Sequence, residues 1–82
     1  MITGSQVRAA KALLKWSGTD LSLNAKVSIS TIRRIEACDG LPDARSVKVL
    51  NAIKLALEVA GIEFLGTPDN KPGVRLSFPS KD

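Results

Sequence analysis

The stretch from residue 17 to residue 40, SGTDLSLNAKVSISTIRRIEACDG, constrains the fold more than any other part of the chain. Ser17 has the chemistry of a helix N-cap. Asp20, three positions later, can accept a hydrogen bond from the backbone N–H of Ser17, as in a capping box. Leu21 and Ala25 follow at helical spacing, after which the apolar pattern breaks. The sequence therefore predicts a short helix over 18–25 that runs into a tight turn.

A second helix is predicted over 29–37. Ser28 caps it, and Ile32 and Ile35 form a narrow apolar stripe. The other positions carry hydroxyl and basic side chains, namely Ser30, Thr31, Arg33 and Arg34. Such a face suits a DNA groove, because Arg can fork onto guanine while Ser and Thr bond phosphate or base edges.

Two further helices flank this pair. The first is predicted over 4–15, with Thr3 as its cap and Gln6 as the capping-box partner. The last is predicted over 44–60, capped by Asp43 and stopped by Gly61. Because this last helix is so apolar, we expect it to pack on two sides, against the domain core and against something else.

Near the end of the chain the apolar residues recur at every second position, which is the period of a β-strand. Residues 62–65 are predicted as a short strand, 66–73 as a loop with two prolines, and 74–78 as a second strand. A lone hairpin is marginal in water, so we expect it to pack, with the last helix, against the same elements of a second copy. The alternative is a hairpin folded over its own last helix in a monomer. The expected interface residues are Leu57, Ile62, Phe64, Val74, Leu76 and Phe78.

Composition and charge limit the classes of partner and of chemistry that this chain can have. The chain has 82 residues, a net charge of +4 and a pI of about 9.7, which favours a polyanionic partner. It has no His, and its single Cys38 can form neither an internal disulfide nor an ordinary zinc site, so we expect no metal and no cofactor. There is no convincing nucleophile–base pair, so an enzyme is not expected. No apolar stretch is long enough to span a bilayer, and we expect a cytoplasmic protein without a membrane partner.

A resemblance sharpens this interpretation. The segment LSLNAKVSISTIRRIE resembles the helix-turn-helix of the Cro/CI-type (XRE-family) transcriptional regulators. The flanks ITGSQVRAAKALLKWS, DGLPDARSVKVLNAIKLALEVAGIEF and GVRL also look like small stand-alone members, so the similarity spans about residues 2 to 76. The residues that carry the motif are Leu21, Ala25, Val27, Ser28, Thr31, Ile32, Ile35 and Glu36. The implied fold is mostly α: a four-helix lambda-repressor-like helix-turn-helix domain over 1–61, with a C-terminal β-hairpin over 62–79.

The resemblance also implies a function. Such proteins are small bacterial or phage regulators, often found on mobile elements, that bind a palindromic operator in double-stranded DNA as a homodimer and act as repressors or repressor-activator switches. The implied base-reading residues are Ile29, Ser30, Arg33 and Arg34. The implied DNA-backbone residues are Ser17, Gly18, Thr19, Lys26, Ser28, Thr31, Arg45 and Lys48. The family also pairs the positions of Lys11 and Glu36.

Two positions differ from the family pattern, and Ile29 and the kind of partner each allow two interpretations. Lys26 stands where the family usually has Gly at positive φ, and Gly18 stands where it tends to have Gln. Ile29 is expected to be exposed, either for a methyl contact with thymine or as a scattered surface residue. Finally, the same fold could serve a protein partner instead of DNA, as an antitoxin or anti-activator that uses the last helix and the hairpin.

Overall fold

The structure, a computed structural model, describes residues 2–42 and 46–77. Within these residues the chain is mostly helical, with four helices followed by a two-stranded antiparallel hairpin. In chain order the elements are α1 (Gly4–Leu14), α2 (Gly18–Ala25), α3 (Ile29–Glu36), α4 (Val47–Val59), β1 (Ile62–Thr67) and β2 (Asn70–Leu76). Of the helices in this part of the chain, none is both long enough and apolar enough to cross a membrane.

The helix starts follow from local side-chain chemistry. The Thr3 hydroxyl accepts from the Gln6 N–H at 3.1 Å, and Gln6 Oε1 accepts from the Thr3 N–H at 2.8 Å. Ser17 and Asp20 form the same reciprocal pair at α2, with distances of 3.1 and 2.9 Å. Both predicted capping boxes are therefore confirmed. Ser28 caps α3 as predicted, by accepting from the backbone N–H of the third helical residue.

The last helix is confirmed at its end. It stops at Val59, and Gly61 follows with a φ of 111°, a conformation that favours glycine. Its described start is Val47, preceded by Ser46 without a side-chain cap hydrogen bond. The predicted start at Ala44 and the predicted cap Asp43 lie outside the described residues.

One core joins the helices to the hairpin. Every helix contributes to it, α4 through Leu50, Ile53 and Leu57. The buried apolar residues are Ile2, Val7, Ala10, Leu21, Ala25, Ile32, Ile35, Leu50, Ile53, Leu57 and Ile62. Trp16, two residues after the end of α1, is half-buried against this cluster.

The hairpin is longer than its sequence predicts, and the loop predicted over 66–73 is wrong. Thr67 pairs with Asn70, so only Pro68 and Asp69 remain as the turn. The register shifts between Leu65 and Thr67, where one residue of β1 faces two of β2. Gly66 lies in this bulge with a φ of 71°, and a Cβ there would overlap the backbone of β2. The bulge lets glycine and proline stay inside a paired ladder, which the sequence pattern does not indicate.

The hairpin packs on α1 and α4 of its own chain. Phe64, Val74 and Leu76 pack against the core, while Ile62 and Leu57 lie inside it with exposed fractions of 3% and 0%. This arrangement corresponds to the alternative of a hairpin folded over its own helices. Leu57 and Ile62 have no surface to offer a second copy, so the interface predicted from the sequence is corrected at these two positions. Phe78 lies outside the described residues.

One buried side chain fastens the hairpin to α1. Gln6 Nε2 donates to the backbone carbonyls of Gly73 at 2.9 Å and Leu65 at 3.4 Å, while Oε1 serves the capping box. Gln6 is only 5% exposed, so its amide satisfies partners in three segments at a site that excludes water.

Candidate nucleic-acid interface

A three-residue turn, Lys26 to Ser28, joins α2 to α3. Lys26 adopts the left-handed conformation with a φ of 58°, and its N–H donates to the Ser22 carbonyl. The Ser22 hydroxyl donates in turn to the carbonyl of Val27. The turn thus requires a positive φ at a position where the chain has Lys and not Gly. Holding a Lys in this conformation costs about 1 kcal/mol.

The inner surfaces of α2 and α3 lock the two helices together. Leu21 and Ala25 of α2 and Ile32 and Ile35 of α3 are all buried, and Val27 of the turn packs beside them. Two helices that share one apolar contact across a short turn pack as a single unit. The unit fixes which side of α3 is left to face solvent.

The outward side of α3 is polar and basic. Ser28, Ser30, Arg33 and Arg34 are exposed, and Thr31 is half-buried. The Ser28 hydroxyl donates to Thr31 Oγ1 at 2.8 Å and lies 3.3 Å from Ser30 Oγ, so three hydroxyls gather at the start of the helix. Arg33 and Arg34 lie in the last turn of the helix. Hydroxyl and guanidinium groups are side chains that DNA-reading helices use.

Ile29 is half-buried rather than exposed, which corrects the expectation. Its Cδ1 lies 3.0 Å from the place where a Cβ on Gly18 would stand. Ile29 therefore packs on the first turn of α2, and the absence of a side chain at Gly18 makes room for it. Gly18 and Ile29 therefore belong to one contact.

Arg34 has a structural partner. Its Nη1 donates at 3.0 Å to the hydroxyl of Ser46, which is only 1% exposed. The bond ties α3 to the residue that precedes α4. A guanidinium has five N–H donors, so this bond leaves others for a ligand. Arg33, which is also exposed, is the better position for a test by substitution, because a change there leaves the Ser46 contact intact.

A mostly buried ion pair holds the far end of α3. Lys11 Nζ lies 2.9 Å from Glu36 Oε1, and the two side chains are only 19% and 15% exposed. The other carboxylate oxygen, Oε2, is buried with no hydrogen-bond partner among the described residues. This pairing, implied by the resemblance, is confirmed. Lys11 Nζ also lies 3.9 Å from the Cβ position of Gly18, so its ammonium is close to the first turn of α2.

The loop after α3 is held by residues that sequence reasoning missed. Arg8 donates to the Glu36 carbonyl, to Ser5 Oγ at 3.0 Å and to Asp39 Oδ1 at 2.7 Å. Gly4 lies against the same loop, where a Cβ would overlap the carbonyl oxygen of Cys38. Apart from the bond to Ser5, these contacts join residues more than 25 positions apart, and no local pattern indicates them.

The remaining predicted contacts lie around this unit. Thr19 and Lys48 are exposed, Ser17 is exposed at the cap of α2, and Gly18 is half-buried. Arg45 lies outside the described residues. In the part of the chain that the structure describes, no group of three or more His, Cys, Asp or Glu residues is placed to hold a metal ion.

No protein-family profile matches this chain, and no curated protein matches it significantly.

Proposed function

We propose that this chain is a sequence-specific DNA-binding transcriptional regulator of the Cro/CI (XRE) type, with a lambda-repressor-like arrangement of its helices. It acts in the cytoplasm on a palindromic operator, as a repressor or a repressor-activator switch. The observation that carries the proposal is the α2–turn–α3 unit, whose apolar side is buried in the core while its hydroxyl and basic side faces solvent.

In this proposal α3 enters the major groove with its N-terminal half leading. Ser30 and Arg33 are exposed on that helix and read base edges, with Arg33 forked onto a guanine. A phosphate lies at the N-terminus of α2, where free N–H groups and the helix dipole attract an anion. Lys11, beside that helix end, adds positive potential although its own closest partner is Glu36.

The test begins with selection of binding sites from random duplex DNA. The enriched duplex is then compared with a scrambled one by fluorescence anisotropy over a salt series. We expect a palindromic motif with half-sites about 10 base pairs apart and a preference over scrambled DNA on the order of a thousandfold. We also expect log affinity to fall with log salt at about −0.9 per phosphate contact.

A matched pair of variants locates the interface. Arg33→Ala removes one exposed arginine from α3, and Arg75→Ala removes one from the hairpin, so both lower the net charge equally. We expect Arg33→Ala to weaken binding to the selected duplex by at least about tenfold and to relax the preference at one base pair. Arg75→Ala should change little. No enriched motif, or equal losses for both variants, contradicts the proposal.

A protein-binding role, as an antitoxin or anti-activator, is the second candidate. The observation that favours it is the exposed apolar surface of α4, where Leu55 and Val59 are 61% and 80% exposed. Under that role Arg33→Ala would leave binding of the protein partner intact, and substitutions at Leu55 would abolish it. The two functions are thus separated by which face of the molecule the binding requires.

A further inference from the structure

The outer face of α4 carries an apolar strip. Leu55 and Val59 are exposed there, whereas Leu50, Ile53 and Leu57 on the opposite side of the helix lie in the core. We define the α4 strip as Ala52, Leu55, Ala56 and Val59. Single exposed apolar residues are ordinary on protein surfaces, but this strip continues over two helical turns.

A groove runs beside the strip. It has a volume of about 270 Å³, and its second wall is the end of α2 with the turn that follows, from Asn24 to Lys26. The strip therefore offers both a projecting side chain, Leu55, and a concave place that can receive one. A surface with both features can fit a copy of itself.

The charges at the two ends of the strip are also complementary to each other. Lys48 lies before it and Glu58 at its end, and both residues are exposed. Because residues three, four and seven apart share a helix face, the row that starts at Lys48 continues through Ala52, Leu55 and Val59. A two-fold axis near positions 53 and 54 would place Ala52 opposite the Leu55 of a second, antiparallel copy. It would also place Lys48 beside the second copy's Glu58. A parallel arrangement would instead bring like charges together.

We propose that a second copy of this chain docks on the α4 strip, antiparallel, in an isologous interface with Lys48 of each copy beside Glu58 of the other. The hairpin is less suited to this role, because its apolar residues pack against the chain's own core. This inference rests on the proposed function, because a palindromic operator calls for a two-fold dimer. The test of the interface uses no DNA, so the interface and the DNA-binding function can fail separately.

The first experiment is sedimentation velocity on the full chain over a concentration series. We expect the wild type to be dimeric and Leu55→Asp to be monomeric at every concentration. Leu13→Asp is the matched control, since Leu13 is exposed to 42% but lies on α1, where it lines a different groove. It should remain dimeric. Circular dichroism of each variant verifies that its helices are intact.

The second experiment exchanges the charges. Lys48→Glu alone and Glu58→Lys alone place like charges together in the proposed interface, and each should raise the dimer dissociation constant about tenfold. The double variant restores opposite charges and should return to within about threefold of the wild type. A structural role within one chain would not produce this recovery, because the two positions are ten residues apart and do not contact each other on a helix.

Each outcome has a distinct meaning. A wild type that is monomeric throughout, a Leu55→Asp variant that stays dimeric, or a double variant that is no better than the single ones overturns the interface. A monomeric chain that still binds the selected operator refutes the interface but not the DNA-binding function. A dimer that depends on the strip but binds no DNA supports the interface and refutes the DNA-binding function. A strip occupied only by a different protein, with the chain alone monomeric, also overturns the inference.

Discussion

The ion pair between Lys11 and Glu36 is a contact whose burial should make its removal costly. Both side chains are mostly buried, and Glu36 Oε2 already lacks a hydrogen-bond partner among the described residues. Lys11→Met keeps the length of the side chain but leaves the carboxylate buried without its cation. Breaking a buried pair in this way costs about 3–5 kcal/mol. Because some water still reaches both groups, we expect the low end, about 3 kcal/mol.

The magnitude can be measured by a double-mutant cycle. For a domain of this size 1 kcal/mol corresponds to about 4–8 °C in Tm, so Lys11→Met should lower Tm by about 12–24 °C. The double variant Lys11→Met/Glu36→Leu removes both charges and should recover most of the loss, to within about 1 kcal/mol of the wild type. Urea unfolding of the wild type, Lys11→Met, Glu36→Leu and the double variant, followed by circular dichroism, gives the four free energies of unfolding.

The same chain supplies a control pair. Arg75 donates to Glu63 across the hairpin at 2.7 and 3.1 Å, and this hydrogen bond raises the pKa of the guanidinium above its usual value. Both of these side chains are well exposed, so solvent screens their attraction. Their cycle should show much less coupling than that of Lys11 and Glu36. Equal coupling in the two cycles, or a loss below about 1 kcal/mol for Lys11→Met, would refute the reasoning from burial.

Three other substitutions test separate features by urea unfolding. Gln6→Glu replaces the amide that donates to two hairpin carbonyls with a carboxylate that cannot donate, and should cost about 2–4 kcal/mol; a change within experimental error would show that these bonds add nothing. Gly4→Ala forces a Cβ into the carbonyl oxygen of Cys38 and should cost more than about 3 kcal/mol, whereas Gly40→Ala, where the Cβ meets open space, should change stability by less than about 1 kcal/mol. Similar losses for the two glycines would contradict the packing at α1. Lys26→Gly relieves the left-handed turn and should stabilise the fold by about 1 kcal/mol; destabilisation would mean that the Lys side chain contributes more than the strain removes.

Local chemistry explains which parts of this fold could be predicted from the sequence. Thr3 with Gln6, and Ser17 with Asp20, interact across three residues, and the hydroxyl, amide and carboxyl groups alone specify the contact. Gly61 likewise ends α4 by its own backbone freedom. The pair of Lys11 and Glu36 is different, because its prediction needed the resemblance to a family in addition to the residues themselves.

The errors arise where distant parts of the chain meet. A helical wheel leaves Ile29 on the outer side of α3 and cannot reveal that Gly18 provides a place for it. The glycine and proline residues between 66 and 73 favour a loop by composition, yet cross-strand pairing with a bulge keeps them in the ladder. Arg34 was predicted only as a DNA contact, since its hydrogen bond to Ser46 depends on how α4 approaches α3. Such features follow from tertiary packing, which overrides local preference.

The amide of Gln6 has a consequence for the order in which the chain is completed. Synthesis proceeds from the N-terminus, so Gln6 meets its capping partner Thr3 as soon as the first helix forms. Its two other partners lie 59 and 67 residues later, and its donors stay hydrated until that last segment has left the ribosome. The helices can assemble around the core before then, whereas the hairpin must close nearly the whole chain as a loop. A nascent chain cut short before residue 65 would contain all four helices but would leave the core uncovered on the side of α1.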